Sequence, residues 1–341
     1  MKMVRFWREV KGAVAAMTVL VILVGLGMLA LVIDLGHLFL VRSELQRAAD
    51  AGAMAAALGL FPIPAGSKGP VSIVPDCPRA LSAAQTMVSE NQADGGSLLL
   101  LSGDVSFGKW NSATNTFTAT GCSTPKQVNT IKVRVRKDQS ANDSVTLFFA
   151  RALPGGWSTQ DLSAEALALT GYAGYAPAGS FAFPLAIDAG NVDPDQPGKL
   201  VTIHLSPTPG DGGCWHSFDD KSPGTSDLKK LIDGTTPSPE VSVGDQIKLK
   251  EGVSDAVIQE LGKVLADNQG SMDILMPVIS GDSHTGWTSV LGFAAFHLTV
   301  VESSGSDKYL QGYTVPNYVA PGVSPGGPNY GLWAGVPKMV Q

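Results

Sequence analysis

The feature that most constrains this chain is a run of 22 consecutive uncharged residues, 12–33, which follows a basic N-terminal segment. A helix rises 1.5 Å per residue, so this run spans about 33 Å, close to the roughly 30 Å hydrocarbon core of a bilayer. A secretory signal peptide has an apolar core of about 7–15 residues and then a cleavage site. Here helix-forming residues continue through 34–60 instead. The run therefore predicts a transmembrane helix.

Charge on the two sides of this run predicts its orientation. The first eleven residues carry four basic side chains (Lys2, Arg5, Arg8 and Lys11) and one acid, Glu9. Because an excess of Lys and Arg marks the cytoplasmic side, we expect a cytoplasmic N-terminus and an extracytoplasmic remainder. The net charge of the whole chain is −6, so that remainder carries −9. Without a basic patch to displace phosphate counterions, nucleic acid is not expected as a partner.

The helix is predicted to leave the bilayer at Asp34 and to continue as an amphipathic helix. Small and apolar residues recur every three or four positions: Leu38, Val41, Leu45, Ala48, Ala49, Gly52 and Ala56. Asp50 is spaced to pair with Arg47 at i, i+3 or with Gln46 at i, i+4. A stripe of Ala and Gly lets another element approach the backbone closely. We therefore expect this half to pack on its own globular part or on neighbouring subunits.

The pattern as a whole predicts an α+β fold: a long transmembrane helix, its amphipathic extension, and then mixed α/β and mostly β extracytoplasmic modules. Strict alternation at 131–135 predicts a half-buried strand, and Asn142 or Asp143 is predicted to cap a short helix through Phe149 and Leu153. The predicted organisation is a cytoplasmic basic segment (1–11), a transmembrane helix (12–33), an amphipathic extension (34–60), a first α+β module (65–170), a linker (171–180), a second mostly β module (181–315) with a helix near 253–267, and a Pro/Gly-rich tail (316–341).

Three cysteines are too few for a disulfide framework. In an oxidising compartment Cys77 and Cys122 are the candidate pair, and their bridge would contribute about 2–4 kcal/mol. Cys214 would then be unpaired. Three separate buried thiols fit the sequence equally well.

Catalysis and tightly bound cofactors are not expected. Ser283 and His284 lie close to an aspartate in sequence, but adjacency is not the geometry of a triad, and a GxSxG elbow is lacking. An oxygen-rich loop in the second half is a weak calcium candidate in an extracytoplasmic setting, with a solvated turn as the default. Its residues are Asp188, Asn191, Asp193 and Asp195. No other metal site is predicted.

Several segments resemble a known family. Residues 11–15 (KGAVA), 31–36 (LVIDLG) and 42–53 (RSELQRAADAGA) resemble the N-terminal signature of Tad (Flp) pilus-assembly proteins of the TadE/TadG-like group. Residues 104–110 and 129–136 are similar to the extracytoplasmic part of the same group. The resemblance implies a single-pass protein of the bacterial inner membrane that serves a Tad pilus apparatus, supports adhesion and biofilm formation, and contacts other membrane proteins of the apparatus or its pilins.

One departure bears on the role within that family. Pilins cut by a prepilin peptidase carry Glu at the fifth position after the cleaved Gly, whereas cleavage at Gly12 would put Met17 there. That glutamate neutralises an amino terminus inside an apolar filament core, where an unpaired charge is costly. Its absence disfavours a bulk filament subunit.

The leading hypothesis is thus a non-enzymatic, membrane-anchored component of pilus assembly or secretion. The alternatives are a processed, pilin-like minor subunit of the filament and an anchored periplasmic module that binds a ligand or calcium. The residues assigned to helix packing and assembly are Asp34, Arg42, Glu44, Leu45, Gln46, Ala49 and Asp50.

Overall fold

A computed structural model describes residues 2–70, 74–112, 114–122, 128–152, 156–181, 183–194, 196, 198–218, 224–250 and 252–340, with side chains from residue 14 onward. The helices are α1 (Lys2–Leu60), α2 (Cys77–Ser89), α3 (Thr225–Ile232) and α4 (Asp255–Asp267). Short 3-10 helices cover Ser102–Asp104, Ala150–Ala152 and Ala189–Asn191. The predicted α+β class is confirmed.

The strands, in chain order, are β1 (Gln92–Ala93), β2 (Gly96–Ser97), β3 (Val105–Asn111), β4 (Thr116–Ala119), β5 (Thr130–Lys137), β6 (Val145–Thr146), β7 (Thr159–Gln160), β8 (Leu162–Leu169), β9 (Ala173–Ala176), β10 (Leu185–Asp188), β11 (Leu200–His204), β12 (Gly213–Ser217), β13 (Val241–Ser242), β14 (Gln246–Lys250), β15 (Met272–Ile279), β16 (Gly286–Ser289), β17 (Gly292–Glu302), β18 (Tyr309–Val315), β19 (Tyr318–Ala320), β20 (Ser324–Pro325), β21 (Leu332–Ala334) and β22 (Lys338–Val340).

Helix α1 is continuous over 59 residues and has two halves of different character. Val14–Leu60 contains the candidate membrane span of the described residues: its most apolar window has a mean hydropathy of 2.8 and is not buried. Beyond Asp34 the helix carries a buried face formed by Val41, Leu45, Ala48, Ala49, Ala53 and Ala56. The spacing of small residues in the sequence thus marks the face that packs.

The chain forms two compact units, each assembled from separate segments. The first comprises Met1–Ala56, Leu81–Ser106 and Lys132–Leu167, and the second comprises Ala57–Ala80, Phe107–Ile131 and Ala168–Gln341. Composition predicted a different, purely sequential division into modules. Those module boundaries stay a prediction.

In the first unit the docked half of α1 lies against α2 and β5. A Cβ atom at Gly52 would come within 2.7 Å of the Val88 Cγ2 atom and 3.5 Å of the Val133 Cγ1 atom. Val88 and Val133 are themselves fully buried. The glycine is therefore required for the helix backbone to approach its neighbours this closely.

The second unit is built on an eight-stranded sheet in the order β11-β18-β17-β15-β10-β12-β14-β16. Its neighbours pair antiparallel except β10 and β15, where Ile187 lies opposite Val278 in a parallel pair. One face shares a core with α3 and α4, in which Leu228 and Leu261 pack with Trp215. The other face shares a second core with residues of the β13-β9-β20 sheet and of the β19-β21 pair.

One local prediction is wrong, and one helix was not predicted. The helix expected after Asn142 or Asp143 is wrong: both residues have positive φ angles of 65° and 51°, and β6 follows them. Residues in that conformation turn the chain instead of starting a helix. Helix α3 was not predicted, because its eight residues lie in a stretch rich in Gly, Ser and Pro.

Replacing Gly52 with leucine should destabilise the protein by about 1–3 kcal/mol, because the buried Val88 methyl group occupies the place of the new side chain. The effect is measured as a lower thermal midpoint of the full-length protein in detergent, followed by near-ultraviolet circular dichroism. Gly36→Leu is the matched control on the same helix, since a Cβ there meets nothing within 4 Å. It should change stability by less than about 0.5 kcal/mol. Equal effects of the two changes would contradict the packing of α1 at Gly52.

Candidate assembly site on the membrane-proximal helix

Asp34 is buried, although it lies at the end of the exposed apolar half of α1. Its carboxylate accepts hydrogen bonds from three consecutive backbone N–H groups. Phe148 N lies 2.8 Å from Oδ1, Ala150 N lies 2.7 Å from Oδ2, and Phe149 N lies 3.3 and 3.1 Å from the two oxygens. Successive N–H groups that converge in this way form an anion-binding concavity. Asp34 thereby attaches the segment before the Ala150–Ala152 3-10 helix to α1.

The surroundings of Asp34 stabilise its charged form. Burial raises the pKa of the carboxyl, but the three N–H donors lower it, and nearby His37 lowers it further. The net result is a pKa below the ordinary value for aspartate. Asp34 is thus an anion near neutral pH, and its hydrogen-bond partners are backbone dipoles.

A second contact joins α1 to the β1–β2 hairpin. The Glu44 Oε2 atom accepts a hydrogen bond of 2.9 Å from Asp94 N. The Asp94 carboxylate in turn lies 3.3 Å from His37 Nε2 and 3.7 Å from Lys137 Nζ. Asp94 and Gly95 both have positive φ angles, as a tight two-residue hairpin turn requires. This hairpin was not predicted, although an Asp-Gly pair is a sequence signal for such a turn.

Gln46 links the helix to β8. Its Nε2 atom donates to the Asp50 Oδ1 atom at 2.8 Å and to the backbone oxygen of Glu165 at 3.1 Å. The Gln46–Asp50 spacing singled out in the sequence is therefore a contact, whereas Arg47 forms no ion pair with Asp50 within the described part of the chain. Arg47 is exposed.

The predicted assembly residues thus fall into two groups. Asp34, Leu45 and Ala49 are buried, and Glu44 and Gln46 bond within the first unit. Arg42 is exposed and forms no ion pair among the described residues. The role of all seven residues in assembly stays a proposal, but the structure shows that most of them hold α1 on its own unit.

The cysteines of the second unit differ in state. Cys77 and Cys122 form a disulfide, with their Cα atoms 6.4 Å apart. Cys214 is free and buried in β12, and burial raises the pKa of its thiol to about 12. A thiol with such a pKa stays protonated and unreactive.

Of the oxygen-rich loop, the structure describes Asp188, Asn191 and Asp193. Asp188 is buried and pairs with His284, whose Nε2 atom lies 3.0 Å from Oδ2. Asn191 ends the Ala189–Asn191 3-10 helix. Asp195 lies outside the described residues, and calcium binding stays a prediction. In the part of the chain that is described, no group of three His, Cys, Asp or Glu side chains is placed to hold a metal ion.

A buried histidine in β12 gives the second unit an acid-sensitive element. His216 is fully buried with its ring edge-on to Phe218 at 4.5 Å. Burial lowers its pKa to about 4, although backbone groups of Leu185 and Ser217 oppose this change. An unfolded chain takes up a proton at histidine near pH 6.5, so the contribution to stability is full above that pH and is lost as pH falls towards 4.

Acidification from pH 7 to 4 should therefore reduce the unfolding free energy by roughly 3 kcal/mol through His216 alone. His216→Leu should flatten this part of the pH profile, measured by urea unfolding at a series of pH values. His204→Gln, at a more exposed histidine, is the control and should keep the slope. An unchanged slope in His216→Leu would assign the acid sensitivity to other groups.

The fold and the contacts of α1 define a class of protein. A long helix with an exposed apolar half and a docked half, followed by α+β units, fits a single-pass membrane protein. Residues 12–59 match the family model described as "Putative Flp pilus-assembly TadE/G-like", and residues 68–168 match the one described as "Putative Tad-like Flp pilus-assembly". Both matches support the Tad (Flp) pilus-assembly TadE/TadG-like family, and the recognition made from the sequence motifs is confirmed.

Other comparisons add no relative. No curated protein and no solved structure matches this chain at the significance required. Both family matches support a role in pilus assembly, and they include Asp34 and its partners Phe148, Phe149 and Ala150.

Proposed function

We propose that this chain is a non-enzymatic component of a Tad/Flp-type pilus assembly apparatus, anchored in the bacterial inner membrane by residues 12–33. Its N-terminus is cytoplasmic, and the chain beyond residue 33, which includes the whole second unit, is extracytoplasmic. Through pilus assembly it supports adhesion and biofilm formation. Its partners are the lipid bilayer and other membrane proteins or pilins of the apparatus.

The observation that carries this proposal is the contrast between the two halves of α1. Beyond Asp34 the helix buries its small-residue face against α2 and β5 of its own unit. The preceding half, by contrast, exposes large apolar side chains such as Leu23 and Leu31. A contiguous apolar surface of this size on a soluble protein marks an interaction site, and here it has the length of a bilayer. The membrane half is therefore available to lipid and to helices of partner proteins.

The residue at position 17 bears on the pilin-like alternative. A filament subunit is extracted from the membrane and packs its apolar helix in a filament core. Position 17 holds methionine where a processed pilin has glutamate, and this disfavours that route. Without the glutamate, the new amino terminus would have no neutralising partner in the apolar filament core. A fixed assembly component needs no such group.

The decisive experiment compares the N-terminal residue and intact mass of the protein in membranes and in sheared surface filaments. A chain that starts at or next to Met1 and stays in membranes is expected. A chain that starts at Ala13 and appears with sheared filaments would replace our proposal with the processed pilin-like subunit.

Orientation is tested by single-cysteine labelling with a membrane-impermeant maleimide. Ser97→Cys is suited to this purpose because Ser97 is exposed on β2, whereas Cys214 is buried and Cys77 is bonded to Cys122. Ser97→Cys should label in intact spheroplasts and Lys2→Cys only after lysis. The reverse pattern would overturn the proposed orientation.

A deletion strain separates assembly from catalysis. Loss of the gene should abolish surface pili and reduce adhesion, and complementation with wild type should restore both. Ser283→Ala should complement as well as wild type, since Ser283 is not expected to act as a nucleophile. Failure of this variant to complement despite normal protein levels would revive an enzymatic role.

A further inference from the structure

The first unit exposes a group of large aromatic side chains near Asp34. Phe39 is 70% exposed, Phe148 51%, Phe149 44% and Trp157 67%. Single exposed apolar residues are ordinary on a protein surface, but several large aromatic rings on one unit indicate an interaction surface. We call these four residues the aromatic patch.

Phe39 lies on α1 itself, five residues after Asp34, and backbone contacts bring the other three residues of the patch to α1 from distant parts of the chain. The Asp34 carboxylate holds the amides of Phe148 and Phe149 against α1. Leu147 N donates to Ser158 O at 2.9 Å, which places Trp157 beside the same segment. The Phe148 ring also lies 5.0 Å from the ring of His37. The patch is thus fixed to α1 at the residue where its exposed apolar half ends.

The position of Asp34 along α1 sets the depth of the patch. Residue 33 ends the uncharged run, so Asp34 lies at the outer edge of the proposed hydrocarbon span. At 1.5 Å per residue, Phe39 lies about 8 Å further along the helix. The polar interface of a bilayer is about 5–8 Å deep on each side. The aromatic patch therefore lies at the level of the lipid headgroups.

The chemistry of the patch suits that environment. Aromatic rings are enriched at membrane–water interfaces, where one part of the ring is apolar and another is wet. Arg151 is exposed next to the patch, with its guanidinium held by two hydrogen bonds to Leu147 O at 3.3 and 3.1 Å. A cation at this height can bind a lipid phosphate group.

We propose that Phe39, Phe148, Phe149 and Trp157 insert into the headgroup region of the bilayer that α1 crosses. The extracytoplasmic part of the first unit then rests on the membrane surface. This inference depends on the membrane anchoring proposed above. It adds a second membrane contact, made by the folded unit itself. Asp34 is the positioning residue of this contact, because it holds the segment that carries two of the four rings.

The test uses the full-length protein at one copy per lipid nanodisc, with a nitroxide spin label at a single introduced cysteine. Phe149→Cys reports the patch, Leu23→Cys reports the helix span, and Leu99→Cys is a control at another exposed apolar residue of the first unit. Collision rates with oxygen and with an aqueous nickel chelate give the depth of each label.

The ratio of the oxygen collision rate to the nickel-chelate collision rate should be several-fold higher for the label at position 149 than for the label at position 99. If position 23 is lipid-exposed and position 149 is fully aqueous, the membrane contact of the folded unit is refuted and the anchor stands. If both positions are aqueous, the anchor itself is refuted. If the label at position 149 is shielded from the nickel chelate in native membranes but not in nanodiscs, the patch binds a protein partner, and this inference is also overturned.

A substitution gives an independent readout. Trp157→Ser combined with Phe148→Ser should raise the exposure of the label at position 149 to the nickel chelate several-fold, while leaving the label at position 23 unchanged. Leu99→Ser combined with Leu200→Ser removes two exposed apolar residues elsewhere and should change neither label. An unaltered label at position 149 in the first variant would contradict a patch that acts as one lipid-binding surface.

Discussion

Replacing Asp34 with asparagine should release the segment around Phe148–Ala150 from the long helix and impair pilus assembly. The amide side chain keeps one acceptor oxygen but points an N–H₂ group at backbone donors, so at least one of the three N–H groups loses its partner. Hydrogen exchange of the Phe148, Phe149 and Ala150 amides should accelerate by about tenfold or more, because buried donors to a charged acceptor are strongly protected. Hydrogen–deuterium exchange mass spectrometry of the full-length protein in nanodiscs measures this effect.

Asp50→Asn is the control for the same change of charge on the same helix. The Asp50 carboxylate accepts from Gln46, one turn away on α1, and the change should leave the 148–150 amides protected. Pilus assembly should fall in the Asp34 variant. Unchanged exchange in Asp34→Asn would show that other contacts hold the segment.

The same contact predicts a dependence on pH. The pKa of Asp34 is lower in the folded protein than in an unfolded chain. Its contribution to stability is therefore present above the ordinary aspartate pKa of about 3.9 and is lost as pH falls through the lower, folded value. Protection of the 148–150 amides should thus persist at pH 5 in wild type.

Removing the disulfide should produce the largest loss of thermodynamic stability. Cys77 and Cys122 are separated by 45 residues, and closing a loop of that length lowers the entropy of the unfolded chain by an amount worth about 4 kcal/mol. The double variant Cys77→Ser, Cys122→Ser should unfold at a midpoint about 10 °C lower than wild type, measured by thermal melting in detergent.

Reduction provides the matched test. Dithiothreitol should lower the midpoint of wild type to that of the double variant and should not affect the variant, because Cys214 is unbonded in both. A wild-type midpoint that is insensitive to reductant would mean that the two thiols are not bonded in the purified protein.

Elements with a local cause were predictable from the sequence. The run 12–33 and the recurrence of Leu45, Ala49 and Gly52 predicted a single helix through the bilayer and beyond, and α1 follows that pattern to Leu60. Alternation of apolar and charged residues likewise predicted β5. Both signals depend on residues a few positions apart, and so the sequence displays them directly.

Contacts between distant segments were not predictable in the same way. Asp34 was singled out as a polar residue at the end of the span, but its partners are backbone N–H groups 114 to 116 residues away, and every residue except proline has such a group. The parallel pairing of β10 with β15 also joins segments that are far apart in the chain. The order of the central strands in the eight-stranded sheet was therefore not predictable from the sequence and was found only in the structure.

The interleaved make-up of the first unit has a consequence for how the protein is made. Its segments end at residues 56, 106 and 167. A ribosome that adds about 5–20 residues per second reaches the partners of Asp34 roughly 6–23 s after Asp34 itself. During that interval the helix is already available for insertion, while its Ala-rich face beyond the membrane lacks β5, one of the two elements that it packs against, until residues 130–137 have been made. Biogenesis of this protein thus includes an obligatory waiting state, in which a chaperone or an already assembled neighbour has access to a surface that the finished molecule hides.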